Sequence, residues 1–286
     1  MNSSRPTAWI TGAGGLIGNY LVQSAETCAS EWEIVPLSRA HLELADFTAV
    51  RRTFQSRRPR LVIHCAALSR SPACQADPPL ARKLNVEVTA FLAELAADIP
   101  FIFFSSDLVF DGRQGNYDES ASPNPLSVYA ETKVAAEQIV LANPRHTVVR
   151  TSLNGGISPS GKRGFNEELR NAWQAGRTLK LFTDEYRSPI PARATARAVW
   201  QLAAKDRPGL YHLAGRERLS RWGIGELMAA RWPQLNPRIE RCSLSDYSGA
   251  PRSPDTSLNS AKIQKLLGSP LPGLTQWLGE HPDEPF

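Results

Sequence analysis

The sequence predicts an α/β fold in which helices cover both faces of a parallel sheet, the doubly wound arrangement. Three observations predict it. Short apolar runs, such as "FIFF" at 101–104, alternate with amphipathic stretches through the first 150 residues. These runs are apolar almost throughout, as expected of strands buried on both faces. A glycine-rich turn follows the first run and opens the first helical stretch.

Residues 1–152 are expected to form the first domain, in which strands and helices take turns along the chain. The strands are expected within 7–15, 32–39, 60–67, 99–107 and 146–152. The helices are expected within 16–28, 47–58, 78–98 and 127–143. Repeated strand–helix–strand units of this kind indicate parallel pairing.

The second half of the chain has a looser pattern. A Gly/Ser loop at 153–164 precedes helical segments at 165–176, 194–205, 220–232 and Ala261–Leu267, the last of the chain, with one strand at 209–215. We expect residues 153–189 and 209–286 to form a smaller C-terminal substrate lobe. Residues from about 190 to 208 are expected to rejoin the first domain.

Composition and charge limit the classes of function. Of the 286 residues, 21% are charged, and no run approaches the roughly 18 apolar residues of a membrane helix. The first strand begins within a few residues of the N-terminus, which leaves no room for a signal peptide, so we expect a cytoplasmic protein. Four cysteines without a C-x-x-C pair indicate reduced thiols and no metal site.

The basic charge is concentrated in the second half. Residues 1–150 hold 14 Lys+Arg and 15 Asp+Glu, a net −1, whereas residues 151–286 hold 19 and 13, a net +6. This excess favours an anionic ligand such as a nucleotide diphosphate, although solvated arginine-rich helices explain it equally well. No basic run is interleaved with aromatic residues, so nucleic acid is not an expected partner.

The glycine turn "TGAGGLIG" has the G-x-x-G-x-x-G spacing of a dinucleotide-binding loop. Gly12, Gly15 and Gly18 lie between the first strand and the first helix, where a side chain would block a pyrophosphate from the backbone. The N–H groups of the helix start, which includes Leu16 and Ile17, are expected to face the phosphates. The position of this loop predicts a Rossmann-type nucleotide site.

The ends of the next strands are expected to complete the cofactor site. No acidic residue follows the second strand, where Ser38 and Arg39 could hold a 2′-phosphate; this favours NADPH, with NADH still possible. Arg39 as a solvated loop residue is the open alternative. Asp46 and Phe47 are expected near the adenine. The small residues after the third strand would let the cofactor pass close to the backbone: Cys65, Ala66 and Ala67.

Tyr129 and Lys133, in "SVYAETKVAAE", stand four apart and share one face of the predicted helix. A free tyrosine, with a pKa of about 10, holds its proton too tightly for a matched acid near neutrality. An adjacent ammonium favours the phenolate, so we expect Lys133 to lower the pKa of Tyr129. The spacing alone also occurs in ordinary surface helices.

With these pieces in order, the chain resembles the extended short-chain dehydrogenase/reductase family, and within it the dTDP-4-dehydrorhamnose reductase branch. The resemblance runs through "TGAGGLIG", "VIHCAA", "ARKLNVE", "FFSSDLVFDG", "PNPLSVYAETKVAAE", "VVRTS", "TDEYRSPI", "GLYHLAG" and "SPDTSLNSAKIQKLLG". It implies an NAD(P)H-dependent reduction of a 4-keto nucleotide sugar, in which Tyr129 donates the proton, Lys133 also binds the ribose and Ser106 bonds the substrate oxygen. It further implies that Asn85, among the cofactor-binding residues, supports the active-site helix or a proton relay, with a simple buried amide as the alternative.

The substrate side departs from the branch that the chain resembles. That branch has aromatic residues near the sugar where this chain has Leu108 and Leu153. Asp107 and Arg187 are further candidates for substrate contacts, Arg187 as a phosphate clamp or, equally, as a structural ion pair. The two leucines leave the residues of the expected proton transfer in place, but they count against a dTDP-linked sugar as the substrate.

Two other functions stay open at this point. The branch also resembles the regulatory β subunit of methionine adenosyltransferase, which implies a nucleotide-binding partner without catalysis. An epimerase with a recycled NAD uses the same fold, whereas the Asp-Glu pair of a dehydratase is absent after Ser106. A homodimer is also possible. His64 and His212 lie in predicted strands and are interpreted as packed histidines.

Overall fold

A parallel sheet of six strands forms the centre of the protein, in a computed structural model that describes residues 5–249, 251–284 and 286. Its strands are numbered in chain order: β1 (Thr7–Thr11), β2 (Glu33–Leu37), β3 (Leu61–His64), β4 (Phe101–Ser106), β5 (His146–Thr151) and β6 (Gly209–Leu213). In space they run β6-β5-β4-β3-β1-β2, and every neighbouring pair is parallel. The predicted α/β fold is confirmed.

Eleven α-helices occur in the described residues. They are α1 (Leu16–Cys28), α2 (Phe47–Arg57), α3 (Ser71–Ala76), α4 (Pro78–Arg82), α5 (Val88–Leu95), α6 (Val128–Leu141), α7 (Phe165–Gln174), α8 (Ala192–Lys205), α9 (Arg221–Arg231), α10 (Ala261–Leu267) and α11 (Leu274–Glu280). The helix expected over 78–98 is divided, because a wider five-residue π turn, Lys83–Glu87, separates α4 from α5. The segment Ala261–Leu267 is not the last helix, since α11 follows it.

Helices cover both faces of the sheet because strand side chains alternate between the faces. On one face, Ile10 and Ile63 belong to a core that α1, α8 and α10 complete. On the other, Trp9 and Phe103 belong to a core that α2, α5 and α6 complete. The strands are apolar almost throughout for this reason, and the doubly wound arrangement follows.

The strand β6 differs from the expected domain division. Residues 209–286 were expected in the smaller lobe, yet Gly209–Leu213 pairs with Thr147–Thr151 of β5 and forms the edge of the central sheet. Leu213 is fully buried in the core that α1 and α8 cover. An apolar strand gains most by pairing with a free sheet edge, which β5 offers.

The smaller lobe is built from α7, α9, α11 and short strands. The longest pairing there joins Leu179–Phe182 to Ile239–Cys242. Four other two-residue strands form two further pairs: Tyr186–Arg187 with Leu219–Ser220, and Asn154–Gly155 with Ile190–Pro191. Its own core contains Phe165, Trp173 and Trp277. No helix in the described part of the chain is both long and apolar enough to cross a membrane.

The chain order of the strands determines where a ligand can enter. From β1 the chain moves to β2 on one side and then to β3 on the other, so the connections diverge between β1 and β3. In open α/β sheets, ligands bind outside the carboxyl ends of the strands at such a point. Gly12 and Cys65, which directly follow β1 and β3, lie there.

Candidate active site

The turn after β1 is glycine-dependent for reasons of space and conformation. Gly12 has φ +68°, in the left-handed region, and a Cβ there would lie 2.7 Å from the Ala66 nitrogen. A Cβ at Gly18 would collide with the carbonyl oxygen of Gly12. The turn is therefore packed against the segment after β3 and against the first turn of α1, as a close backbone approach requires.

The start of α1 offers backbone donors. Gly15 is the N-cap in an extended conformation, no side chain caps the helix, and its first turn holds no acidic residue. The first N–H groups of a helix have no hydrogen-bond partner within the helix, and the positive end of the helix dipole favours an anion beside them. Leu16 and Ile17 belong to this turn, so the donor set fits the diphosphate of a dinucleotide.

The segment after β3 closes the other side of the turn. The N–H of Cys65 donates to the carbonyl of Thr11 at 3.3 Å, and the N–H of Ala66 donates to the Thr11 hydroxyl at 3.3 Å. Burial raises the pKa of the Cys65 thiol, which keeps it neutral. The small residues through Ala67 line the point where Gly12 approaches, which is where the cofactor was expected to pass.

The end of β2 lies beside the glycine turn. A Cβ on Gly14 would lie 3.7 Å from the Ser38 Cβ, and the Ser38 hydroxyl bonds His41 Nδ1 at 2.9 Å. The Arg39 side chain is 81% exposed and its Nε lies 3.8 Å from Glu43 Oε2, so the guanidinium is open to solvent and only loosely paired. His41 is a further polar side chain here that the sequence alone gave no reason to select.

Asp46 and Phe47 have structural roles at the start of α2. Asp46 is the N-cap of α2 and accepts from the Ala49 N–H at 3.0 Å. The ring of Phe47 packs on Phe91 with centroids 4.6 Å apart. Both side chains are accounted for by helix capping and helix packing, so their expected place near the adenine stays a prediction.

Asn85 is a buried amide that joins two parts of the site. It accepts from the Leu68 N–H at 2.7 Å and donates to the Leu68 carbonyl at 3.1 Å. It also donates to the Thr132 hydroxyl at 3.0 Å, and Thr132 donates to the Tyr129 carbonyl at 2.7 Å. Asn85 thus fixes the segment after β3 to α6; this agrees with the expected supporting role.

The helix α6 carries the two central side chains into the interior. Ser127 caps it by accepting from the Ala130 N–H, and the first two turns place Tyr129 and Lys133 on the buried face. Tyr129 is 9% exposed and Lys133 2%. The alternative of a solvated surface turn is therefore wrong.

Lys133 is a buried amine with few groups nearby that could stabilise a positive charge on it. Its Nζ lies 4.0 Å from the centre of the Phe103 ring, and no hydrogen bond or ion pair to it occurs within residues 5–249, 251–284 and 286. Burial lowers its pKa to about 7, although the negative charge of Glu137, one turn on, opposes that change. An ammonium buried in this way is suited to bind hydroxyl groups of a ligand.

The pKa of Tyr129 is raised, not lowered. Burial is the main cause, the charge of Asp107 and the thiol of Cys74 add to it, and the hydroxyl of Ser106 opposes it. The expectation that Lys133 lowers this pKa is wrong for the protein by itself, because desolvation of the phenolate dominates and Lys133 is not among the groups that shift the pKa of Tyr129.

Ser106 ends β4 beside Tyr129. Its hydroxyl donates to Asp107 Oδ1 at 3.2 Å and accepts from the Leu108 N–H at 3.2 Å. Leu108 packs in one small apolar cluster with Tyr129 and Cys74. Leu153 instead packs against the core of the smaller lobe. The two leucines therefore lie on different sides of the site.

Arg187 is an ion-pair residue. Its guanidinium lies 3.1 Å from Asp107 Oδ2 and 3.1 Å from Glu185 Oε1, and all three side chains are buried. Of the two expectations left open, the structural ion pair is the one that the contacts match, whereas the phosphate clamp has no free pair of donors. Asp107 is likewise engaged inside the protein, so neither side chain is placed for a direct substrate contact.

Several residues of this arrangement carried no sequence signal. The sequence offered no reason to choose Thr132, Ser152 or Thr256, because a hydroxyl that contacts a residue far along the chain leaves no local pattern.

His64 and His212 were interpreted as packed histidines, and both are buried. Burial lowers the pKa of His64 to about 3 and that of His212 to about 4. No group of metal-binding side chains occurs in the part of the chain described.

Comparison with known proteins identifies the family of the chain. Residues 7–283 match the family model described as RmlD substrate binding domain. The chain is 29% identical over 282 residues to a probable low-salt glycan biosynthesis reductase, Agl14, of Haloferax volcanii, covering 93% of this chain and 94% of that protein. It is 28% identical over 275 residues to methionine adenosyltransferase 2 subunit beta of Xenopus laevis, covering 91% and 82%.

A solved structure shares the fold. The dTDP-4-dehydrorhamnose reductase of Bacillus anthracis, in complex with NADP, superposes with a TM-score of 0.87 and 22% identity over 97% of this chain and 98% of that one. Because the family model spans nearly the whole chain, both the sheet and the smaller lobe are covered by the match. The chain therefore belongs to the RmlD substrate binding domain family.

Proposed function

We propose that this protein is an NAD(P)H-dependent carbonyl reductase that reduces the 4-keto group of a nucleotide-linked sugar, with NADPH as the preferred cofactor. One observation carries the proposal: α6 buries Tyr129 and Lys133 one turn apart, with Ser106 of β4 beside them. A scaffold without catalysis has no evident need of a buried, unpaired lysine next to a tyrosine, since burying such a charge is unfavourable.

Burial raises the pKa of Tyr129, so the phenol is fully protonated at neutral pH and its proton is in place before the substrate arrives. The same burial makes the phenol by itself a weaker acid than free tyrosine, so the transfer depends on how basic the substrate oxygen becomes. The oxygen of a carbonyl that accepts hydride becomes strongly basic and can take this proton. Tyr129 would then be the donor, with the hydroxyl of Ser106 stabilising the developing charge on the same oxygen.

The cofactor, when bound, supplies the hydride to the carbonyl carbon. The chain's own residues would bind and orient it: the N–H groups at the start of α1 with the diphosphate, Ser38 and Arg39 with a 2′-phosphate, and Lys133 with the ribose hydroxyls. Because Lys133 has a pKa of about 7, it can also carry a proton toward Tyr129 after each turnover.

The choice of a nucleotide sugar follows from similarity and charge. The glycan biosynthesis reductase and the dTDP-4-dehydrorhamnose reductase are both named as reductases of this branch. The net charge of +6 on residues 151–286 favours a substrate with a diphosphate. Leu108 packs beside Tyr129, so the surface next to the proposed proton donor is apolar and offers no aromatic ring to stack on a sugar.

The direct test is a substrate panel with purified protein. NADPH oxidation is followed at 340 nm with dTDP-, UDP- and GDP-linked 4-keto sugars, and each product is identified by mass. We expect stoichiometric oxidation with at least one of them and a lower rate with NADH. Oxidation of neither cofactor by any member of the panel, in protein that still binds NADPH, would contradict the proposal.

A second candidate is a nucleotide-binding regulatory subunit without turnover. The specific observation in its favour is the 28% identity to methionine adenosyltransferase 2 subunit beta over 91% of this chain. The loss of aromatic residues at Leu108 and Leu153 agrees with it. Stoichiometric co-purification with a second enzyme from the native host, together with silence in the substrate panel, would support this candidate over the reductase.

A further inference from the structure

A buried network of charges and hydroxyls joins the active-site strand to the smaller lobe. Its centre is Asp107, the residue directly after β4. Asp107 Oδ2 accepts from the Ser152 hydroxyl at 2.6 Å, from Arg187 Nη1 at 3.1 Å and from the Thr256 hydroxyl at 3.1 Å. These donors come from three distant parts of the chain.

The other oxygen of the same carboxylate faces the active site. Asp107 Oδ1 accepts from the Ser106 hydroxyl at 3.2 Å. A hydroxyl that donates to a free carboxylate normally lies about 2.5–2.7 Å away. The Ser106 contact is therefore long and weak, and its proton can be released to another acceptor.

Competition for the carboxylate explains this long contact. Three donors, one of them a cation, already hydrogen-bond to Oδ2 and draw the negative charge of the carboxylate toward that oxygen. Oδ1 is therefore a weaker hydrogen-bond acceptor. Arg187 is itself fixed, because Nη2 lies 3.1 Å from Glu185 Oε1, and Glu185 also pairs with Arg252 at 2.6 Å. The cation cannot leave Asp107 without leaving Glu185.

We infer that Arg187 is a positioning residue for the proposed reductase, which sets through Asp107 how readily the Ser106 hydroxyl turns from the carboxylate to the substrate oxygen. The inference rests on the proposed function, since Ser106 has its role there. Arg187 neither touches the substrate nor moves a proton. Its chemical effect is to keep the neighbouring carboxylate from holding the serine proton.

The charge of Asp107 also reaches Tyr129. Besides burial, the groups that shift the pKa of the Tyr129 phenol are Ser106 and Asp107 at the end of β4 and Cys74 of α3. The charge of Asp107 raises the pKa of Tyr129. Removal of Arg187 leaves that charge uncompensated, whereas removal of the carboxylate abolishes it.

The test is a double-mutant cycle on kcat. Arg187→Met should lower kcat by about 10- to 100-fold, because it weakens a donor to the developing oxyanion. In the Asp107→Asn background the same substitution should change kcat by no more than about threefold, because the residue through which it acts is gone. The control is Arg193→Met, which removes an ion pair of 2.8 Å to Glu284 away from the site.

The conservative variant Arg187→Lys separates positioning from simple loss of structure. Arg187→Met leaves a buried carboxylate unpaired and destabilises the fold. Arg187→Lys, which keeps a cation, is measured beside it and should give an intermediate kcat at an unchanged KM for NADPH.

A readout without turnover keeps the inference distinct from the proposed function. In crystals of Arg187→Met or Arg187→Lys, the Ser106 Oγ–Asp107 Oδ1 distance should shorten toward the charge-assisted range of about 2.5–2.7 Å, and it should not change in Arg193→Met. Equal losses of kcat in both backgrounds, or an unchanged distance, would overturn the inference. A shortened distance in a protein that reduces no keto sugar would support the network and contradict only the reductase.

Discussion

The proposed cofactor side and the proposed substrate side of the site differ in the groups that form them. The cofactor side consists of backbone and small residues: Gly12, Gly15 and Ala66 leave room, and the start of α1 leaves its donors uncapped. The substrate side consists of charged side chains that already satisfy each other, with Asp107 and Arg187 at the centre. The first is prepared for a charged ligand, whereas the second supplies rigidity behind Ser106.

This difference indicates where mutation should act. A side chain added on the cofactor side should obstruct binding, because the cofactor needs the empty space beside the backbone. A side chain removed at the border of the two sides should slow the chemical step, because the side chains there are proposed to take part in it. The predictions below begin with the largest expected effect.

Tyr129→Phe should lower kcat by about 10²- to 10⁴-fold, with little change in the KM for NADPH, because it removes the proposed proton donor. Tyr247→Phe, at an exposed tyrosine, is the control and should leave kcat unchanged. Initial rates at 340 nm measure both. A Tyr129→Phe protein that retains wild-type kcat would remove the catalytic role of this residue.

Gly12→Ala should abolish measurable NADPH binding and destabilise the fold, since its Cβ would lie 2.7 Å from the Ala66 nitrogen. Gly161→Ala is a matched control: Gly161 has φ +64°, close to the +68° of Gly12, but nothing lies within 4 Å of its Cβ. It should cost only the left-handed strain of about 1–2 kcal/mol. NADPH fluorescence titration and thermal melting compare the two, and similar losses in both would show that close approach at Gly12 does not matter.

Lys133 should make stability depend on pH. Its pKa is about 7 in the folded protein and near 10.5 when unfolded, so between these values the unfolded chain binds a proton that the folded protein lacks. The free energy of unfolding should therefore rise with pH above 7, by at most about 1.4 kcal/mol per pH unit.

Lys133→Met tests this dependence, because methionine fills a similar volume without a titrating group. Urea unfolding at pH 7 and pH 9 should show wild type gaining about 2 kcal/mol relative to the variant. Parallel pH dependence of the two proteins would mean that Lys133 keeps its charge in the folded state.

Arg39→Ala should give the smallest effect. The side chain is 81% exposed, so its contact with a 2′-phosphate is screened by water, and the ratio of NADPH to NADH affinity should fall by no more than about fivefold. Arg51→Ala, at another exposed arginine, is the control. An unchanged ratio would assign the cofactor preference to Ser38 or to no side chain of this loop.

Local sequence pattern was sufficient to predict several elements of the fold. The bounds expected for α1 and α10 match the structure residue for residue, because an amphipathic repeat and a glycine boundary are properties of adjacent residues. The glycine turn, Tyr129 and Lys133 were selected for a similar reason, since each depends on spacing within one segment.

Contacts between distant residues could not be predicted in this way. The assignment of β6 to the smaller lobe was wrong because only tertiary pairing with β5 distinguishes its place. The pairing of Asp107 with Arg187 joins residues 80 positions apart, and the raised pKa of Tyr129 depends on burial from several elements. Burial and long-range pairing are consequences of packing, which no short motif records.

The central claim, that this site transfers hydride to a sugar carbonyl, is tested most directly by isotope transfer. Wild-type protein is incubated with NADPH deuterated at the transferred position of C4 and a 4-keto nucleotide sugar, and the product is examined by NMR. We predict one deuterium at C4 of the sugar for each NADPH oxidised. A product that carries only solvent hydrogen at that carbon, or unchanged sugar and unchanged cofactor, would contradict the account.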